Sequence, residues 1–203
     1  MTRSTLIKHL KTLALKDTDL ARGLEEYGFP EPRPIREGFE ALFRIIVSQQ
    51  ISKEAAASIW SRVDATLEGI RPDAVLRIPP DRLRAAGMSA RKVEYAKSLA
   101  QAVQSGDLDF QKLKKAPEED VLAAISGIRG LGRWSAEIFM MFGQGRTDVF
   151  AADDLALRIA LSRLKRKRKQ FSATEARKAV LHWSPHRTAG CLFLWHYYRG
   201  APQ

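Results

Sequence analysis

At 203 residues the chain is long enough for one sizeable core or for two small helical lobes. Its 34 lysines and arginines against 23 acids leave a net charge of +11, a field that draws a protein toward polyanions, of which nucleic acid is the commonest. The single cysteine, Cys191, excludes an internal disulfide, a multi-cysteine zinc site and a four-cysteine iron–sulfur cluster.

The predicted elements run helix after helix. Residues 6–13 and 20–24 are leucine-rich and helical in spacing. In 39–50, Phe39, Leu42, Phe43 and Ile46 fall at i, i+3, i+4 and i+7, which makes one apolar helical face. Gln49-Gln50-Ile51 interrupts it, and Ser52 is placed to cap a second helix with Ala55, Ile59 and Val63 inward. Gly87 and Ser89 mark a stop and a restart before the stripe Val93, Ala96, Leu99, Ala100 and Val103. Pro117 reads as the first helical residue, with Glu118 and Glu119 suiting the positive end of the dipole ahead of Val121, Leu122 and Ile125. Ser184-Pro185 repeats that start near the C-terminus. Thr147-Asp148-Val149-Phe150 is the best strand candidate and is too short to build a sheet, so the fold class is all-α. Cys191, in the apolar run 191–195, reads as core, as do Trp60 and Trp183. No apolar signal segment or membrane-length run is present, so a soluble intracellular protein is expected.

The most informative stretch is Ile125-Ser126-Gly127-Ile128-Arg129-Gly130-Leu131-Gly132-Arg133-Trp134-Ser135-Ala136. Its three glycines punctuate a tight connection, where positive φ and close backbone approach are expected. A helix starting directly behind such a turn presents its first N–H groups to phosphate. An ordinary helical hairpin would show the same three glycines.

This stretch, with Asp148-Val149-Phe150-Ala151-Ala152-Asp153-Asp154-Leu155 following it, resembles the helix-hairpin-helix DNA glycosylase superfamily, and within it the bacterial 3-methyladenine DNA glycosylase II type. Phe39-Glu40-Ala41-Leu42 leading to Ser48-Gln49-Gln50-Ile51-Ser52, and Trp183-Ser184-Pro185-His186-Arg187 leading to Leu194-Trp195, extend the resemblance from about residue 15 to the C-terminus. It implies a two-lobed fold with the active-site cleft between the lobes. The central lobe would span 40–149, with the helix-hairpin-helix at about 122–143, and residues 1–39 with 150–203 would form the other. The leading segment is too short for the N-terminal β-domain that some members carry.

The implied function is a monofunctional base-excision glycosylase that flips an alkylated purine out of double-stranded DNA and hydrolyses its glycosidic bond. The resemblance gives the hairpin residues Gly127, Ile128, Arg129, Gly130, Leu131, Gly132 and Arg133 to the DNA backbone, with a Na⁺ or K⁺ ion on their main-chain carbonyls and no side-chain metal ligand. Asp154 is the implied catalytic carboxylate and Asp153 its capping or DNA-facing neighbour, although on the residues alone the pair reads first as a helix cap. A fixed carboxylate stabilises the positive charge that builds on the sugar as the bond breaks. Trp134 stands where lyase-type relatives carry a Schiff-base lysine, so no nicking activity is expected. Trp134 and Trp195 are the implied pocket walls, attractive to a cationic base, with core packing as the alternative for each. Gln50 is the implied plug for the gap left by the flipped base, or else Gln49-Gln50 is a hydrogen-bonding helix end. The run Lys165-Arg166-Lys167-Arg168-Lys169 reads as a phosphate grip or a solvated loop. A monomer in the cytoplasm, associated with the nucleoid, is expected. Uracil, deaminated-purine or mismatch specificity on the same fold, and a non-catalytic damage-binding module, remain the competing readings.

Overall fold

A computed structural model of the protein describes residues 1–200, and the regular structure in them is all helical. It forms two compact units: Arg36–Gln144 is continuous, and Met1–Ile35 with the chain from Gly145 onward forms the other. The sequence reading set these divisions at 40 and 149, and its last three residues, 201–203, lie outside the described ones. Within the continuous unit, Arg36 N–H donates to the Phe142 carbonyl at 2.8 Å and joins its two ends.

The terminal unit begins with α1 (Arg3–Ala14) and α2 (Thr18–Tyr27). Thr2 caps α1 by accepting from the Thr5 N–H, and Leu6, Leu10 and Leu13 turn one fully buried stripe inward. Asp17 caps α2 and does more than cap it. Its carboxylate accepts from the Asp19 and Leu20 N–H groups at 3.1 Å, from Lys165 Nζ at 2.7 Å on both oxygens, and from Trp183 Nε1 at 2.7 Å. His182 Nε2 lies 2.9 Å away. Burial alone would push this acid up, but the bonds from Lys165, Trp183, His182 and Leu20 outweigh it and hold the pKa at about 2.

The continuous unit holds α3 (Gly38–Ser48), α4 (Lys53–Thr66), α5 (Pro72–Arg77), α6 (Pro80–Ala85), α7 (Ala90–Gln104), α8 (Phe110–Lys115), α9 (Glu118–Ser126) and α10 (Arg133–Phe142). Helix α3 is its core: Phe39, Leu42, Phe43 and Ile46 are buried as their spacing predicts, and α4, α7 and α10 pack on it. Ser52 and Ser89 cap α4 and α7 through their hydroxyls, as predicted. Helix α4 is rotated from its expected face, burying Trp60 and Val63 while Ala55 is exposed. The large indole outcompetes a methyl group for the core, where Trp60 meets Phe43 edge-on at 5.4 Å. Pro117 is the N-cap of α9 and Glu118 its first helical residue, one position later than expected.

The chain returns to the terminal unit with α11 (Leu155–Leu164), α12 (Ala173–Ala179), a 3₁₀ turn (Leu181–Trp183) and α13 (Arg187–Gly200). Every residue of α13 from Thr188 to Trp195 is buried, Cys191 included, because α1, α2 and α11 surround it. Ser184-Pro185 does not start this helix. The helix begins at Arg187, and Ser184 instead donates its hydroxyl to Asp148 Oδ2 at 2.8 Å. Asp148 also takes the Arg187 guanidinium through two bonds of 2.7 and 2.8 Å, while Thr188 N–H donates to Thr147 O and Thr188 Oγ1 to Arg146 O. The segment 147–150, the sequence's best strand candidate, is therefore not a strand but chain clasped to the start of α13. No strand occurs among the described residues.

Candidate active site

Two groups of residues singled out in the sequence are organised by these elements, one in each unit. In the continuous unit, α9 and α10 form the hairpin, and residues 127–132 connect them. Only one of its three glycines needs to be glycine for its backbone angles. Gly130 has φ +86°, and a Cβ there would lie 2.0 Å from Cγ of the Tyr95 ring, so a side chain, not a backbone, makes the close approach. Gly127 has an ordinary helical φ of −71°, and Gly132 is extended at φ −128° with open space around it. Gly132 is the N-cap of α10 and, having no side chain, makes no capping bond to the first turn of that helix.

The hairpin side chains divide by burial. Ile128 and Leu131 are buried and anchor the turn, so any backbone contact they make to DNA falls to their main-chain atoms. Arg129 and Arg133 are exposed, Arg129 paired with Glu94 at 2.8 Å and Arg133 with the buried Glu137 at 3.0 Å. Trp134 sits half-buried in the first turn of α10. The Gln49-Gln50 pair splits into two roles. Gln49 Nε2 donates to the Gly130 carbonyl at 2.9 Å and ties the turn to the end of α3. Gln50 is exposed, with the left-handed φ of +56° that a non-glycine residue adopts only under constraint from its surroundings.

In the terminal unit Asp154 is the N-cap of α11. Its Oδ1 accepts from the Leu157 N–H at 3.0 Å and from Trp195 Nε1 at 3.3 Å, so an acid and an indole 41 positions apart in the sequence are bonded neighbours. The helix end places a partial positive charge behind the carboxylate. Asp153 is turned elsewhere, its Oδ2 at 3.2 Å from the guanidinium of Arg177, which also donates to the Phe150 carbonyl. The two adjacent acids thus have different partners, and Asp154 is the one joined to Trp195.

Sequence reasoning missed Arg33. Its guanidinium carbon stands 4.4 Å from the centroid of the Trp195 ring. The surrounding arginines and acids act on it in opposite senses: burial and Arg199 lower its pKa, and Asp154 raises it. The available signal was slight, an arginine held between Pro32 and Pro34 in a loop without regular structure. The basic run also changes character, since Lys165 is drawn onto Asp17 and only Arg166, Lys167, Arg168 and Lys169 are exposed. Among the described residues no group of three His, Cys, Asp or Glu side chains is placed to hold a metal, and no helix is long and apolar enough to cross a membrane.

The pattern of the HhH-GPD superfamily of base excision DNA repair proteins matches residues 43–186, which takes in the hairpin, Asp148 and Asp154. The chain belongs to this superfamily. The DNA-3-methyladenine glycosylase 1 of Schizosaccharomyces pombe is 31% identical over 164 residues, covering 79% of this chain and 72% of that protein. The DNA-3-methyladenine glycosylase 2 of Escherichia coli is 27% identical over 172 residues, covering 79% and 57%. The solved structure of the Schizosaccharomyces pombe 3-methyladenine DNA glycosylase in complex with abasic DNA superimposes with a TM-score of 0.86 at 29% identity, over 93% of this chain and 95% of that one. This HhH-GPD chain therefore has its hairpin and its capping aspartate in the two units of an all-helical fold shared with a DNA-bound relative.

Proposed function

We propose that this protein is a monofunctional DNA glycosylase of base-excision repair that hydrolyses the N-glycosidic bond of alkylated purines of the 3-methyladenine and 7-methylguanine type. The observation that carries the reading is Asp154, an N-cap carboxylate held by a helix amide and by the indole of Trp195. Relatives named as DNA-3-methyladenine glycosylases support the substrate class.

In this reading the hairpin grips the DNA backbone through main-chain groups of residues 127–133, with the N-terminal turn of α10 toward phosphate. The carbonyls of Ile128 and Gly130 are taken by Leu131 N–H and Gln49 Nε2, which leaves those of Gly127, Arg129 and Leu131 as the ones that would hold a Na⁺ or K⁺ ion in this reading. Such an ion would add positive charge beside the phosphate. Gln50, exposed and with a left-handed backbone, fills the gap left by the flipped base. Trp134 and Trp195 are each proposed, from the family resemblance, as an aromatic contact for the base. A base methylated at a ring nitrogen is already cationic, so it leaves without much protonation, and the need falls on the sugar. Asp154 meets that need by opposing the oxocarbenium charge and orienting water on it. With Trp134 where a lysine nucleophile would stand, the product is an abasic site with an intact backbone. The protein acts as a monomer on double-stranded DNA in the cytoplasm.

The test is base release from DNA treated with a methylating agent. Wild type releases 3-methyladenine and 7-methylguanine. Asp154→Asn, which keeps a capping side chain, loses about 10²- to 10³-fold in rate, whereas Asp153→Asn retains activity. Undiminished release by Asp154→Asn refutes the assignment of the acid. Tight binding of methylated DNA without release by wild type refutes the substrate class and turns the search to uracil, hypoxanthine and mismatched bases.

A further inference from the structure

Trp195 is 9% exposed, which is little for the wall of a binding pocket. Its indole N–H edge is used by Asp154, its carbonyl accepts from Arg199 Nε at 3.3 Å, and the Arg33 guanidinium lies over its ring. Arg33 comes from the loop after α2, where Pro34 disfavours helical backbone at the residue before it. The geometry sets two charges about one π-system: a carboxylate at the ring's edge, and a permanent cation on its face.

We infer that Arg33 is a specificity-determining residue that covers the face of Trp195 and lowers the preference of the base site for cationic over neutral bases. The inference rests on the proposed role of Trp195 as a wall for the base. Aromatic rings attract cations through the negative potential of their faces. A guanidinium on one face spends that potential, and it repels a second cation brought near the same ring. A neutral purine feels neither effect, because its stacking rests on dispersion and area. Asp154 favours the charged form of Arg33 and so helps to retain it. Selection for a positively charged base is then left chiefly to the bond-breaking step, where the cation is the better leaving group, and binding stays open to neutral purine lesions.

The experiment measures binding rather than turnover. Two duplexes carry uncleavable 2′-fluoro nucleotides, one with 7-methylguanine as the cation and one with hypoxanthine as the neutral base, titrated at mildly acidic pH against wild type, Arg33→Met and Arg33→Lys. Arg33→Met, which keeps bulk over the ring and removes charge, raises the preference for the 7-methylguanine duplex about three- to tenfold. Arg33→Lys keeps the preference of wild type. If Arg33→Met weakens both duplexes alike and lowers the salt dependence by about one phosphate contact, Arg33 is a backbone contact and the inference is overturned. A preference that does not change while both affinities hold overturns it as well. Failure of wild type to release any base would remove the glycosylase reading of Asp154 without touching this ratio, so the two failures are distinguishable.

Discussion

Placing alanine at Gly130 sets two separate costs against the hairpin. The backbone there has φ +86°, and forcing an L-residue with a Cβ into left-handed conformation costs about 1–2 kcal/mol. The new Cβ would also lie 2.0, 2.3 and 2.4 Å from three atoms of the Tyr95 ring, so the ring must move. Tyr95 is half-buried on α7, and displacing it resembles ordinary overpacking, about 1–3 kcal/mol. Together the costs reach about 2–5 kcal/mol, or a fall in melting temperature of about 4–20 °C for a chain of this size. The turn would also shift the Gly130 carbonyl away from Gln49 Nε2 and weaken DNA binding.

The separation is testable by a double-mutant cycle read by urea denaturation. In a Tyr95→Ala background the ring is gone, and Gly130→Ala should cost only the left-handed backbone term, about 1–2 kcal/mol. Gly132→Ala is the internal control: its backbone is extended and nothing lies within 4 Å of its added Cβ, so stability should change by less than about 1 kcal/mol. Equal costs for Gly130→Ala in both backgrounds would refute the argument from Tyr95. A Gly132→Ala variant as damaged as Gly130→Ala would refute the distinction between the two glycines.

Three further expectations follow from the terminal unit. Asp17 has its pKa held at about 2 in the fold, below the ordinary 3.8, so its stabilisation is complete above about pH 4 and is lost as pH falls toward 2. Asp17→Asn should remove about 2–3 kcal/mol at neutral pH and flatten the acid limb of the stability curve, and an unchanged limb would count against the hub. His9 and His186 stack at 4.0 Å, and burial lowers both pKa values, with His186 and Lys8 adding to it at His9 and Lys16 and Lys8 adding to it at His186 against an opposing pull from Asp148. Their neutral forms stabilise the fold above the ordinary value of 6.5, and that stability is lost as pH falls below it. His186→Gln should therefore show a shallower decline in melting temperature between about pH 7 and 5, and an identical decline sinks the pairing. Asp148→Ala leaves the partly buried Arg187 without its two carboxylate bonds and should cost about 2–4 kcal/mol by denaturant unfolding; a loss below the error of the measurement would show that the clasp is dispensable.

What the sequence disclosed depended on range. The stripe of α3 and the serine caps of α4 and α7 are local patterns, and each is found where spacing places it. Local rules also named the right residues for the wrong task. Pro117 is a cap where N1 was expected, and Ser184 spends its hydroxyl on Asp148 where a helix start was expected. The glycines of 127–132 look alike in sequence, yet only Gly130 combines a positive φ with a ring pressed against it, and the ring comes from α7. The bonds that organise the terminal unit were illegible for the same reason. Asp17 gathers Lys165, His182 and Trp183 from the far end of the chain, and Arg33 finds Trp195 there, through packing that no window of sequence contains.

The position of Asp154 links stability to chemistry in a way that bears on how its variants are read. Capping alone does not require a carboxylate, since asparagine, serine and threonine cap helices about as well. What a carboxylate adds is a full negative charge held at the positive end of α11, with Oδ1 fixed by Leu157 and Trp195. Charge fixed in advance needs no reorganisation when the sugar becomes cationic, which is the condition under which electrostatic stabilisation is largest. Alanine at this position would remove the cap and the charge together, mixing about 1 kcal/mol of helix stability with the loss of rate. Asparagine removes the charge while keeping a capping oxygen, so a rate lost at unchanged stability belongs to the chemistry of the carboxylate and not to the helix it begins.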